Sequence, residues 1–195
     1  MTRQIKIRSV WMTLIAYLVV LSPPVWAQKI ISLEVQSGRV YHIKQVSTGL
    51  KKGGYVDAYV TADQDLRMVL RGYQDNDTQS WRVNGVGNGN YTISQQRTGQ
   101  FWDAHESADR DFQLVTRARQ NSNSQRWKLE QQVDGYYTIM QVSTGRFVDA
   151  YDTALGDFQM VTRPQQANDT QRWSFSAGSA RVDITNCLPL VDVCF

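Results

Sequence analysis

Three short stretches of the chain alternate apolar with polar positions. Tyr41-His42-Ile43-Lys44-Gln45, Tyr91-Thr92-Ile93-Ser94-Gln95 and Tyr137-Thr138-Ile139-Met140-Gln141 each place a ring or an aliphatic side chain at every second residue. That is the period of a half-buried β-strand. Turn signals follow each stretch: Ser47-Thr48-Gly49, Arg97-Thr98-Gly99 and Ser143-Thr144-Gly145. A second strand is predicted to run into the pairs Asp57-Ala58, Asp103-Ala104 and Asp149-Ala150. A third covers Phe112–Arg117 and its counterparts, and a fourth starts at Trp81, Trp127 and Trp173. Gly87-Asn88-Gly89 and Asp134-Gly135 provide tight returns. No segment carries a sustained helical stripe, so the pattern predicts an all-β chain.

The same elements recur at a fixed interval. Gln79-Ser80-Trp81, Gln125-Arg126-Trp127 and Gln171-Arg172-Trp173 stand 46 positions apart, and the Asp-Ala pairs, Val69/Val115/Val161 and Arg71/Arg117/Arg163 keep that register. Phe101–Trp127 aligns with Phe147–Trp173 without a gap, with 14 identities in 27 positions. The first copy carries four extra residues around Lys51-Lys52-Gly53-Gly54. A fixed period of this length marks stacked supersecondary units. Three units of four strands are the arithmetic of a β-trefoil with pseudo-threefold symmetry. A propeller needs at least four blades, and a sandwich gives no reason for threefold repetition. The predicted repeats run over about 40–89, 90–135 and 136–176.

No single repeat of this kind can bury its own apolar face. Trp81, Trp127 and Trp173 are therefore read as a joint core near the pseudo-threefold axis, each removing about 200 Å² from water. Gln79, Gln125 and Gln171 are read as partners for nearby backbone groups. Asp65, Asp111 and Asp157 with Arg71, Arg117 and Arg163 are read as ion pairs within each repeat.

Three Gln-x-Trp motifs at this period, each preceded by a strand ending in Asp, resemble the ricin B-type (R-type) lectin family. The resemblance covers roughly Val40 to Ser176. It implies non-catalytic carbohydrate binding in shallow pockets, up to one per repeat, with no cofactor and no required metal. A carboxylate accepts two sugar hydroxyls, while an aromatic ring covers the apolar face. The resemblance gives the carboxylate role to Asp57, Asp103 and Asp149. The family's stacking aromatic falls near Val69, Val115 and Val161, and its Asn before the motif's Gln falls at Thr78, Ser124 and Thr170. This chain has neither residue type there. Tyr59, His105 and Tyr151 are candidates for the ring, and Asn76, Asn123 and Asn168 for the amide. The alternative for the three Asp residues is structural, since a strand-end Asp can cap its own turn.

Charge and cysteines complete the expectations. Met1 to Ala27 has a basic start (Arg3, Lys6, Arg8), an apolar run over Val10–Leu21 and a Val25-Trp26-Ala27 cleavage site, the layout of a secretory signal. The run is too short for a membrane span, which needs about 20 residues. The whole chain has 21 basic and 18 acidic residues; taking away the three basic residues of the signal leaves 18 of each. A neutral chain lacks the basic face of a nucleic-acid binder. After a lead-in strand over 28–39 and the trefoil comes a tail, 177–195. Its Arg181–Ile184 can close against Ile30–Val35. Cys187 and Cys194 read as a disulfide in an exported protein, or else as two buried thiols. His42 and His105 belong to no nucleophile, phosphate-loop or metal motif. The sequence thus predicts a secreted or periplasmic lectin-like protein rather than an enzyme. Its expected partners are glycans of galactose type or another terminal sugar. The alternative is a trefoil that binds a protein partner through its loops.

Overall fold

The structure, a computed structural model, describes residues 34–47, 54–62, 65–151 and 158–178. The expected signal, most of the lead-in, the Lys51–Gly53 part of the insertion, Asp157, and the tail with Cys187 and Cys194 lie outside the described residues. Of the lead-in, Glu34–Gly38 contains no strand, and Gly38 turns the chain at φ +83° into the first strand.

The described residues form twelve strands: β1 (Arg39–Gln45), β2 (Gly54–Ala58), β3 (Met68–Arg71), β4 (Trp81–Gly85), β5 (Asn90–Gln95), β6 (Phe101–Ala104), β7 (Leu114–Arg117), β8 (Trp127–Gln131), β9 (Tyr137–Gln141), β10 (Phe147–Ala150), β11 (Met160–Arg163) and β12 (Trp173–Ala177). Antiparallel pairings β1–β4, β4–β5, β5–β8, β8–β9, β9–β12 and β12–β1 close six of them into a barrel. The hairpins β2–β3, β6–β7 and β10–β11 complete the molecule. This is a β-trefoil.

The hairpins meet one another through isolated bridges Arg67↔Val115, Gln113↔Val161 and Val69↔Gln159. A backbone circuit accompanies them. Thr116 N–H donates to Leu66 O, Thr162 N–H to Phe112 O, and Leu70 N–H to Phe158 O, each at 2.9 Å. Leu66, Phe112 and Phe158 all take left-handed φ near +50° to aim those carbonyls. The third strand of the second repeat therefore begins at Leu114 and not at the predicted Phe112.

A second circuit links the barrel strands. Buried Gln45, Gln95 and Gln141 donate to the carbonyls of Thr170, Thr78 and Ser124, each in the preceding repeat around the axis. Their side chains fall in the inward phase of the alternating stretches, where their amides join repeats that apolar side chains could only pack together.

Trp81, Trp127 and Trp173 are fully buried. Their ring contacts do not form the direct threefold meeting expected from the repeat. Trp102 intervenes, edge-on to Trp81 at 5.5 Å and to Trp127 at 5.9 Å. Its counterparts are Val56 and Val148. In those repeats the indole N–H of Trp81 donates to Val56 O and that of Trp173 to Val148 O. In the second repeat the indole nitrogens of Trp102 and Trp127 are both buried without a partner. The larger ring fills the core at the expense of that hydrogen bond.

Candidate functional site

Each hairpin has a core face and an opposite face, whose Asp and Val residues are themselves buried. In β2–β3 the cross-strand pairs Val56↔Leu70 and Ala58↔Met68 enter the core, while Tyr55↔Arg71 and Asp57↔Val69 take the opposite phase. The same register holds for β6–β7 and β10–β11. Strand alternation alone thus places the repeated Asp and Arg residues on one side of every hairpin.

The Asp residues are held in the same way three times. Oδ1 of Asp57, Asp103 and Asp149 accepts from the following backbone N–H at 2.7–2.8 Å. Oδ2 accepts from Nε2 of Gln79, Gln125 and Gln171 at 3.2–3.3 Å. The same amide nitrogen donates to Gly72 O, Ala118 O and Pro164 O, while its Oε1 accepts from Gln74, Gln120 and Gln166 N–H. The motif glutamines therefore satisfy backbone groups, as expected, and also clamp a carboxylate. Two internal hydrogen bonds occupy half of the four lone-pair positions of a carboxylate. The Asp residues are turn caps and fixed acceptors at once.

Around Asp57 this frame shapes an open pocket of about 260 Å³, with Tyr59, Val69, Arg71, Gln74 and Thr78 in its wall. Pockets for drug-sized ligands run from about 300 Å³ upward, so this one suits a single small ring. The third repeat has the same residue types in Asp149, Tyr151, Val161, Arg163, Gln166 and Thr170. The second has His105 for Tyr and Ser124 for Thr.

The ring residues are tied into the molecule. Arg71 donates to the Tyr59 hydroxyl at 2.7 Å, and Arg163 lies 4.9 Å over the Tyr151 ring. Links then cross between repeats: the Tyr151 hydroxyl donates to Asp111 Oδ2 at 2.6 Å, and His105 Nε2 stands 3.2 Å from Asp65 Oδ2. Arg117 Nη2 approaches the same His105 nitrogen at 3.2 Å. One imidazole nitrogen either accepts from Arg117 or donates to Asp65. Of the predicted pairs, that of Arg163 with Asp157 lies outside the described residues, and in the second repeat Arg117 takes a different partner from Asp111. Arg163 reaches Asp111 of the preceding repeat at 4.0 Å, and Arg117 reaches Asp103 at 3.8 Å. The hairpins approach across the axis, which brings the start of one third strand beside its neighbour's ring residue.

The Asn side chains stand beside the site rather than in the pocket wall at Asp57. Asn76 Nδ2 donates to Gln74 Oε1, and its Oδ1 accepts from the Thr78 hydroxyl; Asn168 repeats this with Gln166 and Thr170. Asn76 braces the pocket-lining Gln74 and is not itself in the wall. Asn123 is out of register: 46 residues after Asn76 stands Ser122, whose hydroxyl meets Ser124. Gln74 was legible as a repeat signal, since it recurs as Gln120 and Gln166, and Thr78 recurs as a hydroxyl in Ser124 and Thr170.

The carboxylates near His105 diverge. Glu106 bonds the Ser143 hydroxyl. A hydrogen bond from the Ser107 hydroxyl holds the Asp109 carboxyl below its usual range. Burial, then repulsion from Arg163, lowers the pKa of Arg146, whose guanidinium lies 3.6 Å over the Phe112 ring. Among the described residues, no three His, Cys, Asp or Glu side chains converge as a metal site.

The family model for ricin-type beta-trefoil lectin domain-like proteins matches residues 77–158 and 123–188. Together these segments span more than half of the chain. Similar solved structures include the designed threefold symmetric protein ThreeFoil (19% identity, TM-score 0.61, 70% of this chain and 96% of that chain). The Polyporus squamosus lectin bound to Neu5Aca2-6Galb1-4GlcNAc matches at 18% identity and TM-score 0.64, over 74% of this chain and 50% of that one. The Macrolepiota procera ricin B-like lectin in complex with lactose matches at 17% identity and TM-score 0.57, over 74% and 99%. At these identities the likeness shows the fold. No curated protein matches the chain in sequence.

Proposed function

The chain belongs to the ricin-type beta-trefoil lectin domain-like family, and from that premise we propose that it is an exported, non-catalytic lectin with up to three weak sugar sites. The observation that carries this reading is the threefold Asp–Gln clamp. It fixes a largely buried acceptor carboxylate on the side of each hairpin away from the core, in the first repeat within a ring-sized pocket beside Tyr59 and Arg71. A fixed acceptor binds a hydroxyl without the entropic cost of ordering a free side chain. Lectins of this fold have been captured with lactose and with a sialylated galactoside, which supports galactose-type glycans as ligands. Three sites on one rigid body gain avidity on a glycan-bearing surface.

A glycan array probed with the purified protein tests the reading, with free sugar as competitor. Binding to one terminal sugar class is expected. It is lost in the triple variant Asp57→Asn, Asp103→Asn, Asp149→Asn, which keeps the side-chain shape while removing the charge. A blank array from folded protein overturns the lectin reading and favours a protein partner.

A further inference from the structure

The first repeat differs from the others just beyond its pocket. Tyr73 is 50% exposed there. Its counterparts 46 residues on are Arg119 and Gln165, and Arg119 covers the neighbouring Phe101 ring at 5.9 Å. Only the first of these positions presents an aromatic ring.

Two neighbouring rings hold that ring at its edges. The edge contacts are to His42 (5.4 Å, 79°) and Tyr55 (5.1 Å, 60°). His42 is itself buried, with Nδ1 3.0 Å from Gln79 O. The backbone is pinned on both flanks by one side chain, because Gly72 O accepts from Gln79 Nε2 and Gln74 N–H donates to Gln79 Oε1. This is the amide that clamps Asp57. Pocket and ring therefore share one rigid frame.

Position along the strands gives the spacing. Lys44, Tyr55 and Arg71 are cross-strand neighbours on β1, β2 and β3, and Asp57 lies two residues from Tyr55 on the same face. Two strand residues span about 7 Å. The Tyr55–Tyr73 pair is thus beyond a ring seated on Asp57 and within reach of a ring linked to it. A rigid, half-exposed tyrosine offers an apolar face to sugar C–H groups at little entropic cost, and its hydroxyl stays wet.

We propose that Tyr73 forms a second sugar subsite contiguous with the Asp57 pocket, so that the first repeat binds an oligosaccharide while the other two bind single terminal sugars. The proposal rests on the lectin reading above. It is tested in a protein carrying Asp103→Asn and Asp149→Asn, which leaves only the first repeat active. The probes are galactose, lactose and the trisaccharide Neu5Acα2-6Galβ1-4GlcNAc, titrated calorimetrically.

Affinity is expected to rise from monosaccharide to oligosaccharide. Tyr73→Ala removes that increment, about tenfold for one lost stacking contact, and leaves galactose binding unchanged. Tyr73→Phe retains the increment. Equal affinity for all three probes, or an equal loss for monosaccharide and oligosaccharide in Tyr73→Ala, overturns the subsite. Asp57→Asn separates the two ideas: if it abolishes all binding while Tyr73→Ala changes nothing, the lectin reading stands and the subsite falls. Absence of binding to every probe sinks both.

Discussion

At the scale of single residues, the motif glutamine decides more than its position in a short motif suggests. Gln171 is buried and uses both ends of its amide, holding Asp149 Oδ2, Pro164 O and Gln166 N–H. Gln171→Ala leaves all three without that partner, so it should cost about 2–4 kcal/mol, read from urea unfolding. Asn168→Ala removes only exposed contacts and should cost well under ~1 kcal/mol. Trp102→Val sets two effects against each other. It restores the residue found in the other repeats and lets Trp127 recover a carbonyl partner, a gain of about 1 kcal/mol. It also empties part of the core, where large-to-small changes of this size cost about 3 kcal/mol or more. Net destabilisation of roughly 2 kcal/mol is expected from the same measurement.

At the scale of elements, the strands and their Asp-Ala and Trp boundaries were legible, because alternation and a 46-residue register both mark them. The start of β7 was not, since Phe112 looks apolar and strand-like in sequence yet sits with Asp111 in left-handed backbone. Likewise, Asp and Gln were visible separately, but their contact joins positions 22 residues apart. The cross-repeat links of His105 and Tyr151 span 40 residues and depend on how hairpins approach one another, which no single repeat encodes. Tyr137, at the start of β9, makes an element-level prediction. Burial raises its phenol pKa above the ordinary 10.0, while its oxygen accepts from Val35 N–H. Folding favours the neutral phenol, so this stability is complete below pH 10.0 and is lost as pH rises through the raised folded value. The urea midpoint should fall above pH 10.0, and Tyr137→Phe should flatten that fall.

At the scale of the whole molecule, closure depends on distant partners. Tyr41 pairs with Ala177 and Gln45 with Trp173. Such non-local pairing predicts folding in milliseconds to seconds rather than microseconds. The two circuits tie each repeat to both neighbours, so tryptophan fluorescence and far-UV circular dichroism should report one coincident unfolding transition. The bridges between hairpins also have a consequence for recognition. β3, β7 and β11 turn their outer backbone toward one another, and the remaining strands have neighbours on both sides. Among the described residues, then, every strand has a neighbour on each side, though β5–β6 and β9–β10 meet at a single residue pair; unpaired edges, the usual template for strand addition, are kept short. Short edges of this kind leave side chains, rather than backbone, as the main surface of each hairpin.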